Sequence, residues 1–123
     1  MKPGVNRFDP DREYYFAEGC FIIELSNSPA DPDLSVARAR LGPGCTTRWH
    51  RLEGISERYV LIEGTGRVEV GALAPVEVKP GDVVLIPAGE RQRITNTGVD
   101  DLVFLALCTP RFVEEAYEDV DET

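Results

Sequence analysis

The feature that most constrains this chain is a series of short segments rich in β-branched and aromatic residues, spaced about ten residues apart. Turn-forming residues separate them, as in the stretches SNSPADPD at 26–33 and GPG at 42–44. The pattern predicts an all-β protein, a sandwich or a barrel, with no long helix. The predicted strands lie within 14–25, with a break at Gly19, and within 34–41, 46–52, 56–64, 66–71, 74–82, 83–89, 91–98 and 102–108.

The two ends carry weaker patterns. Residues 1–13 are polar and are expected to form a loose arm. The tail RFVEEAYEDVDET is expected to form one helical turn followed by an acidic, solvated end.

Composition and charge exclude several classes of function. The 123 residues carry a formal net charge of −9, which opposes binding to the phosphate backbone of nucleic acids. The chain has no apolar segment of the signal-peptide or membrane-spanning kind. Its three cysteines lack metal-type spacing and are interpreted as free thiols. We therefore expect a cytoplasmic protein that contacts neither nucleic acid nor membrane.

Strand alternation predicts which polar side chains face the interior. Alternate residues of a strand share a face, and a small barrel fills its centre from such rows. The only histidine, His50, then points inward with residues from two other strands. The predicted inward set is Arg48, His50 and Leu52 from one segment, Glu57 and Tyr59 from the next, and Gln92 from a third.

Two structural interpretations of this set stand beside a functional one. His50 could be an ordinary hydrogen-bonded core histidine. Glu57 in a barrel interior must be protonated or paired, because an unpaired buried carboxylate is costly. Arg48 is its candidate partner by strand alternation, so a metal-free Arg48–Glu57 pair is one expectation for the interior.

At these residues the sequence resembles the cupin family, whose two motifs are G-x5-H-x-H-x3,4-E-x6-G and G-x5-P-x-G-x2-H-x3-N. The first spacing is matched by Gly44, His50, Leu52, Glu57 and Gly64. The second is matched by Gly81, Pro87, Gly89, Gln92 and Asn96. The resemblance implies a double-stranded β-helix, an RmlC-like jelly-roll barrel. It also implies one cupin domain over 1–123, with a barrel core at about 34–109, N-terminal strands at 14–25 and an acidic tail at 110–123.

The resemblance implies a metal site in which two ligand positions have changed. The family's metal is usually held by both histidines of the first motif, its glutamate and the histidine of the second. Here those positions hold His50, Leu52, Glu57 and Gln92. His50, Glu57 and Gln92 are therefore the candidate metal ligands, for a divalent Fe, Mn, Ni or Zn ion that is weakly held or absent.

Three functions follow as alternatives, and the sequence leaves open whether the protein is an enzyme. The first is a small-molecule-binding cupin with a degenerate metal site, its ligand small and polar or anionic. The candidate ligand-binding residues are Arg48, Leu52, Tyr59 and Gln92. The second is a metal-dependent enzyme that uses His50 and Glu57, either a dioxygenase or a sugar-phosphate isomerase. The tail loosely resembles the cupin part of type II mannose-6-phosphate isomerases, which favours the isomerase. The third is a structural barrel with an idle pocket. The catalytic residues stay unknown, and the apolar N-terminal strands predict a homodimer.

Overall fold

The strands form where the sequence alternates or runs apolar between turns, and they assemble into two facing antiparallel sheets. The computed structural model describes residues 1–122, so residue 123 of the predicted tail lies outside the described residues. Within that range, the strands β1 to β11 are Tyr14–Phe16, Cys20–Ser26, Ser35–Leu41, His50–Leu52, Ser56–Glu63, Gly66–Val70, Val76–Val78, Val83–Ile86, Gln92–Asn96, Leu102–Thr109 and Tyr117–Asp119. Short 3-10 turns occupy Pro10–Arg12 and Glu114–Ala116.

The sheet order is that of a β-barrel built from two layers. One sheet has the order β1-β2-β3-β10-β5-β8 and the other β11-β4-β9-β6-β7. Alternate residues of each strand face the space between the sheets, as in β6, where positions 66, 68 and 70 are buried and positions 67 and 69 are partly exposed. The all-β prediction is confirmed. Among residues 1–122, no helix has the length and apolar character needed to cross a bilayer.

The core lies between the sheets in two clusters. The larger is centred on Leu61, Ile94, Leu102 and Phe104, all at most 2% exposed. The smaller contains Leu52, Ile55, Cys108 and Ala116, beneath the tail. Burial of these apolar side chains supplies the main driving force for closing the sheets.

The structure differs from the sequence prediction in two segments that bear on the site. Of the predicted strand 46–52, only His50–Leu52 forms the strand β4. Thr46 makes an isolated bridge to Thr95, and the amide of Arg48 donates to the carbonyl of Glu18 at 2.7 Å. The tail contains a short 3-10 turn and exposed Glu118 and Asp119, but the sequence prediction missed a strand there. Residues 117–119 form β11, which pairs with β4 in the register Tyr117↔Leu52 and Asp119↔His50.

Two glycines of the first motif provide a test of close packing. Gly64 and Gly44 both have positive φ, at +81° and +74°. A Cβ at Gly64 would lie 2.7 Å from the carbonyl oxygen of Asp101, whereas a Cβ at Gly44 meets nothing within 4 Å.

We therefore predict different costs for alanine at the two positions. Gly44→Ala should lower the free energy of unfolding by about 1–2 kcal/mol, the cost of left-handed backbone for a residue with a Cβ. Gly64→Ala should cost about 1–3 kcal/mol more, because the Asp101 carbonyl must also move. Urea denaturation of both variants measures the difference, and equal losses would contradict the close approach at Gly64.

Candidate ligand cavity at the barrel mouth

A cavity lies between the sheets at one end of the barrel. It offers about 40 Å³ of space to water-sized groups. The paired strands β2, β3 and β10 line one wall, where Ala37 of β3 is the register partner of both Glu24 and Ala106. β4 and the tail supply the opposite wall. The lining consists of Tyr14, Phe16, Glu18, Ile22, Glu24, Ser35, Ala37, His50, Leu52, Glu57, Ala106, Cys108, Phe112 and Tyr117.

Both ring nitrogens of His50 have partners. The imidazole is 2% exposed, and its Nδ1 lies 2.7 Å from the carbonyl oxygen of Arg48. Because a carbonyl only accepts, Nδ1 carries a proton. Nε2 lies 2.9 Å from Oε2 of Glu18, so a second proton between them completes an imidazolium–carboxylate pair. The ring of Tyr117 stacks on the imidazole with centroids 5.4 Å apart.

The surroundings of His50 favour the charged imidazolium. Burial lowers the pKa of His50, but the hydrogen bond and charge of Glu18, the Arg48 carbonyl and the charge of Glu57 outweigh this effect. The resulting pKa of His50 is about 9, above the ordinary 6.5. The ring is therefore protonated at neutral pH, and its charge is balanced by Glu18.

Glu57 begins a second chain of polar contacts behind the cavity wall. Its Oε1 accepts from Nε2 of Gln92 at 2.9 Å, and its Oε2 lies 3.7 Å from the thiol of Cys108. Oε1 of Gln92 accepts in turn from the hydroxyl of Tyr59. Burial and the charge of Glu18 raise the pKa of Glu57 to about 7, against the charge of His50 and the hydrogen bonds from Gln92 and Cys108.

The structure places the sequence-predicted residues in three locations. His50, Leu52 and Glu57 line the cavity. Gln92 and Tyr59 are buried directly behind Glu57, outside the cavity lining. Arg48 lies outside the cavity altogether.

The predicted inward orientation of Arg48 and its pairing with Glu57 are wrong. Nε of Arg48 donates to Oδ2 of Asp119 at 2.6 Å, and the Arg48 side chain is 36% exposed. β4 begins only at His50, so strand alternation does not extend back to Arg48. The tail strand β11 then offers the guanidinium a carboxylate near solvent, which avoids the desolvation that pairing with Glu57 would require.

Sequence reasoning missed Glu18, Glu24 and Tyr117, which all line the cavity. Glu18 lies in the turn between β1 and β2, just before Gly19, where no periodicity indicates a direction. Glu24 shares the inward face of β2 with Ile22, so alternation along β2 could have found it. Tyr117 follows a 3-10 turn in a tail whose acidic composition concealed a strand.

The candidate metal ligands do not fit a metal ion. Both nitrogens of His50 are engaged, Oε1 of Gln92 accepts from Tyr59, and Leu52 has no donor atom. Among residues 1–122, no three His, Cys, Asp or Glu residues are arranged to hold a metal. The atoms that would hold the metal already take part in hydrogen bonds, so we derive no chemistry through a metal.

Comparison with known proteins agrees with this architecture. Residues 37–108 match the family described as the cupin domain. The chain belongs to the cupin family. The oxalate-binding protein of Thermotoga maritima is 39% identical over 71 residues, and this match spans 58% of each of the two proteins. Among solved structures, a predicted oxalate decarboxylase from Thermotoga maritima is 30% identical, with a TM-score of 0.71 over 80% of this chain and 90% of that one.

A second solved structure shows how far the fold extends. An uncharacterized protein with a double-stranded β-helix domain from Klebsiella pneumoniae has a TM-score of 0.76, covering 98% of this cupin and all of that chain. Its 15% identity shows the fold alone. The predicted cupin double-stranded β-helix is thereby confirmed.

The His50–Glu18 pair predicts a specific dependence of stability on pH. Because the folded cupin binds the His50 proton more tightly than the unfolded chain, this stabilisation is complete below about pH 6.5 and is lost as the pH rises through about 9. One pKa unit corresponds to about 1.4 kcal/mol, so the loss is at most about 3 kcal/mol. Denaturation at pH 6, 7, 8 and 9 measures it.

Two variants isolate this effect. His50→Gln removes the titrating group and should flatten the profile between pH 7 and 9. Glu18→Gln keeps the imidazole but removes the carboxylate that holds its proton, and should reduce the slope. If the wild type and both variants gave the same profile, the buried ion pair would be refuted.

Proposed function

We propose that this cupin binds a small molecule in the cavity at the barrel mouth. The observation that carries the proposal is a pair of buried polar atoms with no hydrogen-bond partner among residues 1–122, Oε2 of Glu24 and the hydroxyl of Tyr117. Both residues line the cavity. A buried polar group without a partner costs about 1–3 kcal/mol, which a ligand in the cavity would recover.

The names of the relatives support a small ligand for this cupin, but the cavity lining does not favour the anionic charge of their ligand. Both Thermotoga maritima proteins are named for oxalate, a small dianion. Here the cavity lining contains Glu18, Glu24 and Glu57, while Arg48 points away from it. Of the two predicted kinds of ligand, polar and anionic, the lining therefore favours a polar one.

The other two functions receive less support. A metal-dependent isomerase or dioxygenase needs a bound metal, and the candidate ligands in this interior do not fit one. The cavity also has room for roughly three waters, at about 10–15 Å³ each, so a whole sugar phosphate exceeds it. In a structural barrel with an idle pocket, no ligand would offset the cost of the two unpartnered polar atoms.

A cavity-filling variant tests the proposal. Ala106 lines the cavity, so Ala106→Leu should occupy its volume and abolish ligand binding, while Ala72→Leu on an exposed turn should not. A panel of small polar compounds is screened by thermal shift, since a ligand at one hundred times its Kd stabilises a protein by about 2.7 kcal/mol. Shifts that persist in Ala106→Leu would place binding elsewhere, and a panel with no shifts would favour the idle barrel.

The homodimer stays a proposal, now with a candidate surface. Among residues 1–122, no strand pairs with the outer side of the edge strand β8. This strand exposes Val83 and Leu85, and Ile62 of the neighbouring β5 is exposed as well. An apolar edge strand of this kind favours pairing with a second copy. Of the predicted N-terminal strands, β2 is paired on both sides, and β1 is the opposite edge strand of the same sheet, with Tyr14 and Tyr15 exposed.

We predict a solution mass of twice the 13.6 kDa of the chain. Leu85→Arg should give the monomer mass, because it places a charge in the paired surface. Leu73→Arg is the matched control, since Leu73 is 66% exposed in a loop and Leu85 is 68% exposed on β8. Light scattering at micromolar concentration reads out all three proteins, and a monomeric wild type would refute the dimer.

A further inference from the structure

We infer that the ligand of this cavity is a small protonated amine, held by Glu24 and an aromatic wall that includes Tyr117. The inference rests on the proposed small-molecule function and specifies the class of ligand. Three independent features of the cavity lead to it: the charge of its lining, the hydrogen-bonding needs of its orphaned atoms, and its aromatic surface.

The charge of the lining is negative. Of the described residues that line the cavity, His50 is the one basic side chain, and its charge is already balanced by Glu18. Glu24 and Glu57 remain. The charge of Arg111, outside the lining, acts on Glu24, while burial raises the pKa of Glu24 and brings that of Glu57 to about 7, so the lining keeps more carboxyl groups than cations. An anion would enter against their charge, whereas a cation would be attracted in a partly desolvated space where such forces are strong.

Of the two orphaned atoms, the oxygen of Glu24 requires a donor. A carboxylate oxygen such as Oε2 of Glu24 can only accept, and a phenol such as that of Tyr117 can donate or accept. An ammonium group offers three donors, from which Oε2 of Glu24 can accept, and a carboxylate ligand offers none. The other oxygen of Glu24 already accepts from the hydroxyl of Tyr14 at 3.5 Å, which helps to orient the carboxylate.

The aromatic wall suits an organic cation. Phe16 packs edge-on against Phe112 and against Tyr117, with centroids 6.2 and 5.0 Å apart. All three rings line the cavity. Ring faces attract cations, so an alkylammonium gains from these side chains as well as from Glu24. The space for roughly three water-sized groups limits the ligand to about three or four non-hydrogen atoms.

An acidic groove adjoins the cavity and provides a route of entry. It shares Phe16, Glu24 and Phe112 with the cavity, and adds the exposed Glu114 and Glu115. Arg111 also borders the groove, where its Nε donates to Oδ1 of Asn27 at 2.8 Å. A mouth in which carboxylates outnumber cations raises the local concentration of a positively charged ligand.

The test compares compounds of matched size by isothermal titration calorimetry at pH 7. Ethanolammonium and ethylammonium carry the charge, ethylene glycol is a neutral counterpart, and formate and acetate are anions within the same size limit. We expect the ammonium compounds to bind and ethanolammonium to exceed ethylene glycol by about tenfold or more, as charge-assisted hydrogen bonds imply. The anions should not bind.

Three variants locate the site. Glu24→Gln keeps the shape of the side chain but removes its charge, and should weaken ethanolammonium binding about tenfold or more. Tyr117→Phe should weaken it severalfold, through loss of the hydroxyl alone. Glu77→Gln is the matched control, an exposed acid on β7 away from the cavity, and should bind as the wild type does. Circular dichroism confirms that each variant is folded.

Each contrary outcome has a distinct meaning. If formate, acetate or ethylene glycol bound as well as the ammonium compounds and Ala106→Leu abolished that binding, the amine class would be wrong and the proposed function would stand. If Glu24→Gln bound ethanolammonium like the wild type, the assignment to this carboxylate would be overturned. If no compound of either panel bound, the amine inference and the proposed function would both fail.

Discussion

Two contacts of Glu18 hold the mouth of this cupin barrel together, and the arrangement of the cavity depends on them. Its carbonyl accepts from the amide of Arg48 at 2.7 Å, and its carboxylate meets Nε2 of His50 at 2.9 Å. Glu18 lies in the turn that joins two strands of the six-stranded sheet, while His50 begins β4 of the other sheet. One residue thus joins the two sheets through backbone and side chain, and fixes the imidazole in place.

The same contact explains how the interior accommodates polar groups without a metal. The bond from Nδ1 of His50 to a carbonyl is the arrangement that commonly orients a metal-ligating histidine, with Nε2 free for the ion. Here Glu18 occupies the space at Nε2, and a proton takes the place of the cation. Glu57 is stabilised separately by Gln92, whose amide is oriented in turn by Tyr59. The charge of His50 is therefore balanced by Glu18, while Oε2 of Glu24 and the hydroxyl of Tyr117 have no hydrogen-bond partner among residues 1–122.

The tail determines the charge of the cavity. As β11 pairs with β4, it brings the ring of Tyr117 onto His50 and the carboxylate of Asp119 to Arg48. The first contact closes the cavity with an aromatic wall. The second holds the guanidinium near solvent, and so leaves the lining acidic. Because β11 keeps Arg48 out of the cavity, we expect a cationic ligand there and not an anionic one.

The sequence by itself determined the fold and the burial of its central residues. Turn residues between short apolar runs predicted the strands, and motif spacing together with alternation correctly predicted that His50, Glu57 and Gln92 are buried. These features are local, because a strand fixes the direction of each of its own side chains. Only the tertiary structure decided what those side chains contact. The partners of His50 and Arg48 lie 32 and 71 residues away, in a turn and a tail without periodicity, and only the assembled sheets bring them together.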